Sequence, residues 1–172
     1  MKRPEAGEYQ PYYDGYISQV KDGEDLLAMM EAQPDELRTL FSQVPEDRGT
    51  HAYENGKWTV KEVLSHINDG ERMFAYRVLR VSRGDETPIE GFDQNNGYIE
   101  NSNANDQPFA DLLDEFELQR RSNMILLRNM SDEAAARIGT ANEKQISARA
   151  LAYVMAGHVR HHQNILKERY LG

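Results

Sequence analysis

Residues 147–170 read SARALAYVMAGHVRHHQNILKERY. Within them Leu151, Val154, Met155, His158, His162 and Ile165 recur every three or four residues, the spacing that gathers side chains on one face of a helix. At 1.5 Å per residue such a helix is roughly 35 Å long, comparable to a small bundle. A core-facing stripe is ordinarily aliphatic, yet this one carries two imidazoles one turn apart. Two histidines at i and i+4 on a buried face can aim at one point, and a single metal ion is the usual reason for that arrangement. The plainer alternative is a pair of satisfied core histidines, which is the ordinary fate of a lone one.

Outward from this stretch the chain reads as further helices with almost no strand signal. A first helix begins near Glu24 and carries Leu26, Leu27, Met30, Leu37, Leu40 and Phe41, kinked or split at Pro34. A second starts at the capping box Thr59-Val60-Lys61-Glu62, with Trp58 just before it, and runs to about Arg83. Val63, His66, Ile67, Gly70, Met73, Phe74 and Arg77 lie along or beside its inner face. A third begins at Pro108 and places Phe109, Leu112, Leu113, Phe116, Met124 and Leu127 at helical spacing. Ser131 with Asp132 and Glu133 opens a short segment before the last helix. The expected fold is therefore all-α, a four-helix bundle filling one domain over residues 1–172. Residues 1–22 form an arm with Tyr9, Tyr12, Tyr13 and Tyr16, expected along the outside of the domain or a partner subunit. Residues 84–107 form a long polar loop between the second and third helices, and its stretch GFDQNNGYIEN is a candidate lid.

His66 gives the pair a third donor. It lies on the inner side of the second helix, and if that helix neighbours or faces the last one it completes a three-imidazole set with His158 and His162. Three neutral nitrogens with a position left for water or substrate describe a catalytic rather than a structural site. Imidazole suits zinc, nickel, cobalt and ferrous iron. His161 is turned about 100° from His162 on the helix, and His51 sits in a loop; both are expected at the surface.

Other metal patterns are absent. Position 159 is valine, so the glutamate of an H-E-x-x-H protease is missing, and no Glu-x-x-His occurs to suggest a di-iron bundle. Acidic clusters lack calcium-loop spacing. The chain has no cysteine, which removes disulfides and a thiolate nucleophile of its own. With 20 Lys+Arg against 29 Asp+Glu the net charge is −9, which repels a phosphate backbone, so nucleic acid is not an expected partner. MKRPEAGEYQ has no apolar core like that of a secretory leader and no stretch approaches membrane-spanning length; the expectation is a cytoplasmic protein without membrane contact.

The block GKWTVKEVLSHINDGERMFAYRVLRVSRGDETPIEGFDQ, residues 56–94, and AGHVRHHQNILKERYL, residues 156–171, resemble the DinB/YfiT-like superfamily of metal-binding four-helix bundles. The arm PYYDGYISQV resembles that of one large branch. The K-W-(S/T)-x-x-E-x-x-x-H block and the late H-x-x-x-H are specific in combination. The resemblance implies an up-down-down-up bundle, commonly a homodimer, holding one divalent ion such as zinc or nickel on three histidines. Carried over position by position, these fall on His66, His158 and His162. It also implies two chemistries, S-transfer from a low-molecular-weight thiol to a small electrophile, or hydrolysis of an amide or ester. The first is the leading expectation, and a non-catalytic metal-binding bundle is a third. Asp69, three residues after His66, is the candidate base or supporting group, since Glu62 is committed to the cap. Gln94, Asn95 and Asn96 in the loop are candidate substrate contacts, with turn formation as the alternative. Arg120, with Arg121, could pair a substrate carboxylate, against the alternative of a solvated helix face.

Overall fold

Residues 1–91 and 97–171 are described by the computed structural model. Its long helices are α2 (Leu26–Phe41), α3 (Val60–Ser82), α4 (Phe109–Arg128) and α6 (Ala148–Ile165), the last continued by a wider turn over Leu166–Tyr170. Short helices α1 (Asp14–Ile17) and α5 (Asp132–Ala136) flank them. The starts follow local chemistry. Thr59 Oγ1 accepts from the Glu62 amide at 3.1 Å while Glu62 accepts from the Thr59 amide at 2.8 Å, closing the capping box. Asp25, Ser131 and Ser147 cap α2, α5 and α6 more simply, each side chain accepting from backbone amides of the first turn.

Cross-helix contacts fix the direction of each helix. Asn68 reaches Leu112, Glu71 reaches Arg120 and Asn123, and Arg72 pairs with Glu115, so α3 and α4 run parallel. Arg38 meets Glu117 whereas Arg120 meets Met30 and Gln33, so α2 is antiparallel to α4. His66 meets His158 while the Tyr170 hydroxyl donates to Trp58 O at 2.6 Å, so α6 is antiparallel to α3. The result is the up-down-down-up four-helix bundle.

Packing divides the interior in two. One apolar cluster, including Ile17, Met30, Val78, Met124, Leu151 and Met155, fills the end near the arm. The other, with Leu37, Leu64, Ile67, Leu112, Phe116 and Leu166, fills the opposite end. Between them each helix contributes buried polar groups: Gln33, His66, Asn68 and Glu71, Arg120, and His158 and His162. Buried polar groups are costly unless satisfied, so this waist is where function and structure compete.

Pro34 neither splits nor ends α2, which is continuous through it. Proline lacks the amide that would bond Met30 O, and that carbonyl instead accepts from Arg120 Nη1 at 3.1 Å. The predominantly helical chain also carries one small two-stranded antiparallel sheet, β1 (Ile138–Ala141) with β2 (Lys144–Ser147), that pattern reading did not pick out. Its turn residues Asn142 and Glu143 have φ of 51° and 60°. A glutamate in a left-handed turn position, where glycine is usual, hides the hairpin from pattern reading. The arm is also more than a surface wrap: Tyr13, Ile17 and Val20 belong to the core, and Ser147 N donates to Glu8 O at 2.7 Å. The long loop is pinned at both ends. Ile89 exchanges backbone bonds with Thr140 and Asn142, and Asn105 bonds the Thr59 hydroxyl and Glu62.

Candidate metal centre

His66, on the second turn of α3, and His158 and His162, one turn apart on α6, each place a ring nitrogen within 4.8 Å of the others. All three side chains are buried. The Nε2 atoms of His66 and His158 are 2.9 Å apart, a contact that needs a proton on one of them or a cation shared by both. His162 Nε2 and His66 Nδ1 are buried without any hydrogen-bond partner. Satisfied core histidines would not leave such atoms orphaned.

Burial holds the imidazoles neutral, the state a metal ligand requires. Desolvation pushes His66 down to about 4, helped by the charge of His161. His158 and His162 lie well below the usual imidazole range, first through desolvation and then through repulsion within the cluster. Neutral nitrogen donors with orphaned lone pairs fit a borderline divalent cation such as zinc or nickel, and no carboxylate joins the set among the described residues.

The walls are aromatic. Trp58 lies 4.8 Å from the His66 ring, and Phe74 and Tyr16 each lie 5.4 Å from that of His158, measured between ring centroids. Two mid-helix glycines make the assembly possible. A Cβ at Gly70 would stand 2.5 Å from His158 Cε1 and 2.8 Å from its Nδ1, so α3 yields the space the ring occupies. At Gly157 a Cβ would collide with the Tyr16 carbonyl, so α6 admits the arm that carries Tyr16. Glycine in a helix interior costs about 1 kcal/mol relative to alanine, a signal for close approach that the sequence carries at both positions but that was not read from it.

The remaining candidates fare differently. Asp69 is half-buried on the same helix with its carboxyl pushed up by desolvation, outside the clustered donors. Arg120 is not on a solvated face: it is 1% exposed, with Nε and Nη2 on Glu71 at 2.9 and 2.8 Å and Nη1 on Gln33 at 2.5 Å. Burial against Phe116 and pairing with the carboxylate of Glu71 account for its place in the core, because the ion pair offsets the cost of taking the guanidinium out of water. Arg121 is exposed. Gln94, Asn95 and Asn96 lie outside the described residues. His51 is exposed as expected, whereas His161 is half-buried, its ring edge-on to Tyr16 at 5.5 Å.

An up-down-down-up helical bundle with a buried three-histidine cluster able to hold a metal ion defines the class. The chain belongs to the DinB superfamily, whose sequence pattern matches residues 29–166. No curated protein matches it. Among solved structures it is similar to YfiT from Bacillus subtilis, with a TM-score of 0.75 at 18% identity, covering 97% of this chain and 90% of that one. YfiT is described as a probable metal-dependent hydrolase with an unusual four-helix bundle topology. At that identity the likeness speaks for the fold. No helix among the described residues is long and apolar enough to cross a membrane.

Proposed function

We propose that the protein is a metal-dependent enzyme that joins a small thiol cosubstrate, through its sulfur, to a small electrophile. The observation that carries the reading is the cluster of three buried, neutral imidazoles without a fourth protein donor among the described residues. A divalent ion held there would lower the pKa of a bound thiol or water and so supply a nucleophile at neutral pH.

Aromatic walls support thiol over water. Hydrolysis of an amide or ester draws on a general base, and Trp58, Tyr16 and Phe74 offer no carboxylate against the imidazoles. Glu62 is held by the cap and Glu71 by Arg120. A thiol ionises far more readily than water, and since the chain has no cysteine the sulfur arrives with the cosubstrate. In the transfer the sulfur bonds the electrophilic carbon, the leaving group departs with its electron pair, and the thiol proton passes to solvent. The rings present flat apolar surface to the electrophile.

Hydrolysis is the second reading, favoured by the description of YfiT and by Asp69, whose raised carboxyl could accept a proton. Elemental analysis of the purified protein, followed by monochlorobimane turnover with a panel of cellular thiols, separates the two. We expect about one divalent ion per chain and thiol-dependent turnover. Metal without turnover on any thiol sinks the transferase reading, and hydrolysis of an ester panel by the same sample then supports the second.

A further inference from the structure

Among the described residues three arginines are buried, and two of them are neutralised. Arg120 is paired with Glu71, and Arg149 with Glu8. Arg77, 4% exposed on α3, has no carboxylate partner among the described residues. Its Nη2 donates to Glu90 O at 3.1 Å, and its Nε is buried with no partner at all. Its guanidinium carbon lies 5.9 Å from the Phe74 ring centroid, and Tyr12 and Tyr13 are its other neighbours. Tyr12 has a second cation as neighbour: Lys144 Nζ lies 4.4 Å over its ring, bonds Asn142 O, and makes no ion pair among the described residues. In a chain with nine more acidic than basic side chains, two unpaired cations around one tyrosine pair are not explained by a shortage of carboxylates. A buried, unneutralised guanidinium is destabilising, and an incoming anion that bonds it would offset that cost.

Its position relates that anion to the histidines. Arg77 follows His66 by eleven residues, three helical turns to within about 20°, so both project from the same side of α3. Phe74 spans the gap, its ring against His158 on one side and Arg77 on the other. Side chains on a helix lean toward its N-terminus, which brings the guanidinium back toward the cluster.

We infer that Arg77, assisted by Lys144, is the anion-recognition residue of this site and takes a small molecule bearing a carboxylate, held one aromatic ring away from the three histidines. Only the placement of the substrate's reacting end rests on the metal-centre reading. The planar fork of Arg77 suits a carboxylate bidentately, and Phe74 sets the distance between that group and the atom that reacts.

The test follows the Nε–Hε NMR resonance of Arg77, assigned by its loss in Arg77→Lys. Succinate, 3-mercaptopropionate and inorganic phosphate are titrated at constant ionic strength, with and without a chelator. We expect a saturable shift of that resonance with both carboxylates, at least about ten-fold weaker calorimetric binding in Arg77→Lys, and weaker response to phosphate. Arg77→Met should melt no lower than the wild type when no anion is added, because it removes a buried unpaired charge. No saturable shift with either carboxylate, or a large loss of melting temperature in Arg77→Met, overturns the inference and makes Arg77 structural. A shift with phosphate alone overturns the carboxylate assignment. Saturable carboxylate binding in a protein that takes up no metal sinks the metal-centre reading and leaves this one standing.

Discussion

Two polar clusters share the waist of the bundle, and they differ in how their hydrogen bonds close. Glu71, Arg120, Gln33 and Asn123 satisfy one another: both Glu71 oxygens accept from Arg120, Asn123 adds a bond at 2.8 Å, and Gln33 passes on to Ala156 O at 2.8 Å. His66, five residues before Glu71 on α3, and His158 and His162 on α6 are also buried, and they leave His66 Nδ1 and His162 Nε2 without partners. The first arrangement is complete as protein. The second becomes complete only with something added, and this incompleteness separates a site from a scaffold.

Removing one member from each cluster should break the molecule in different ways. His158→Ala or His162→Ala should abolish stoichiometric metal binding, read by elemental analysis of dialysed protein, with the fold retained by circular dichroism. Full metal occupancy in either variant would remove the three-histidine assignment. Glu71→Ala leaves all three ligands in place but strands the Arg120 charge in the core. That should cost about 3–5 kcal/mol of unfolding free energy in urea. A loss within experimental error would mean that water replaces the carboxylate and that this part of the waist is open.

How much of this contrast was legible beforehand follows from the range of each signal. His158 and His162 are four residues apart, so helical periodicity alone placed them together; the same periodicity put His66 on the inner side of α3, but its meeting the pair depended on how the two helices pack. The four long helices announced themselves through the same short-range patterns. Arg120 was misplaced because its partner Glu71 is 49 residues away, and nothing local distinguishes a paired core arginine from a solvated one. Tyr16 was missed for a similar reason: an aromatic arm reads as a surface wrap until its contact with Gly157 is known. The hairpin was lost to strands of only four residues joined by an Asn-Glu turn.

Acidification should sharpen the comparison by loading the incomplete cluster first. His66 titrates near 4 in the folded chain against about 6.5 when unfolded, so between these values the unfolded state binds more protons. The stabilisation is therefore fully present above pH 6.5 and is lost as pH falls toward 4. His66 alone should account for about 3 kcal/mol in the metal-stripped protein, and the shifts of His158 and His162 act in the same direction. Urea titrations in chelator at several pH values measure the slope, and His66→Gln should reduce it. An unchanged slope in that variant would assign the acid sensitivity to other groups.

The smallest expected change in composition, one methyl group, tests the geometry of the incomplete cluster most directly. Gly70→Ala should raise helix propensity by about 1 kcal/mol, yet the new Cβ falls on the buried His158 ring. Overpacking of this kind typically costs about 1–3 kcal/mol, so the net effect on stability is near zero to moderately unfavourable. The readout that separates the terms is metal affinity by chelator competition, which should fall at least about ten-fold because His158 can make room only by leaving its position. Gly15→Ala is the matched control: it lies in α1 with nothing within 4 Å of the added Cβ. There the same methyl should leave metal affinity unchanged and stability equal or slightly higher. Equal metal affinities in the two variants would show that the His158 ring is not held by its packing against α3. The cluster would then be a loose group of imidazoles gathered by the ion, and the contrast with the rigid Glu71–Arg120 pair would become one of stiffness as well as of unfilled valence.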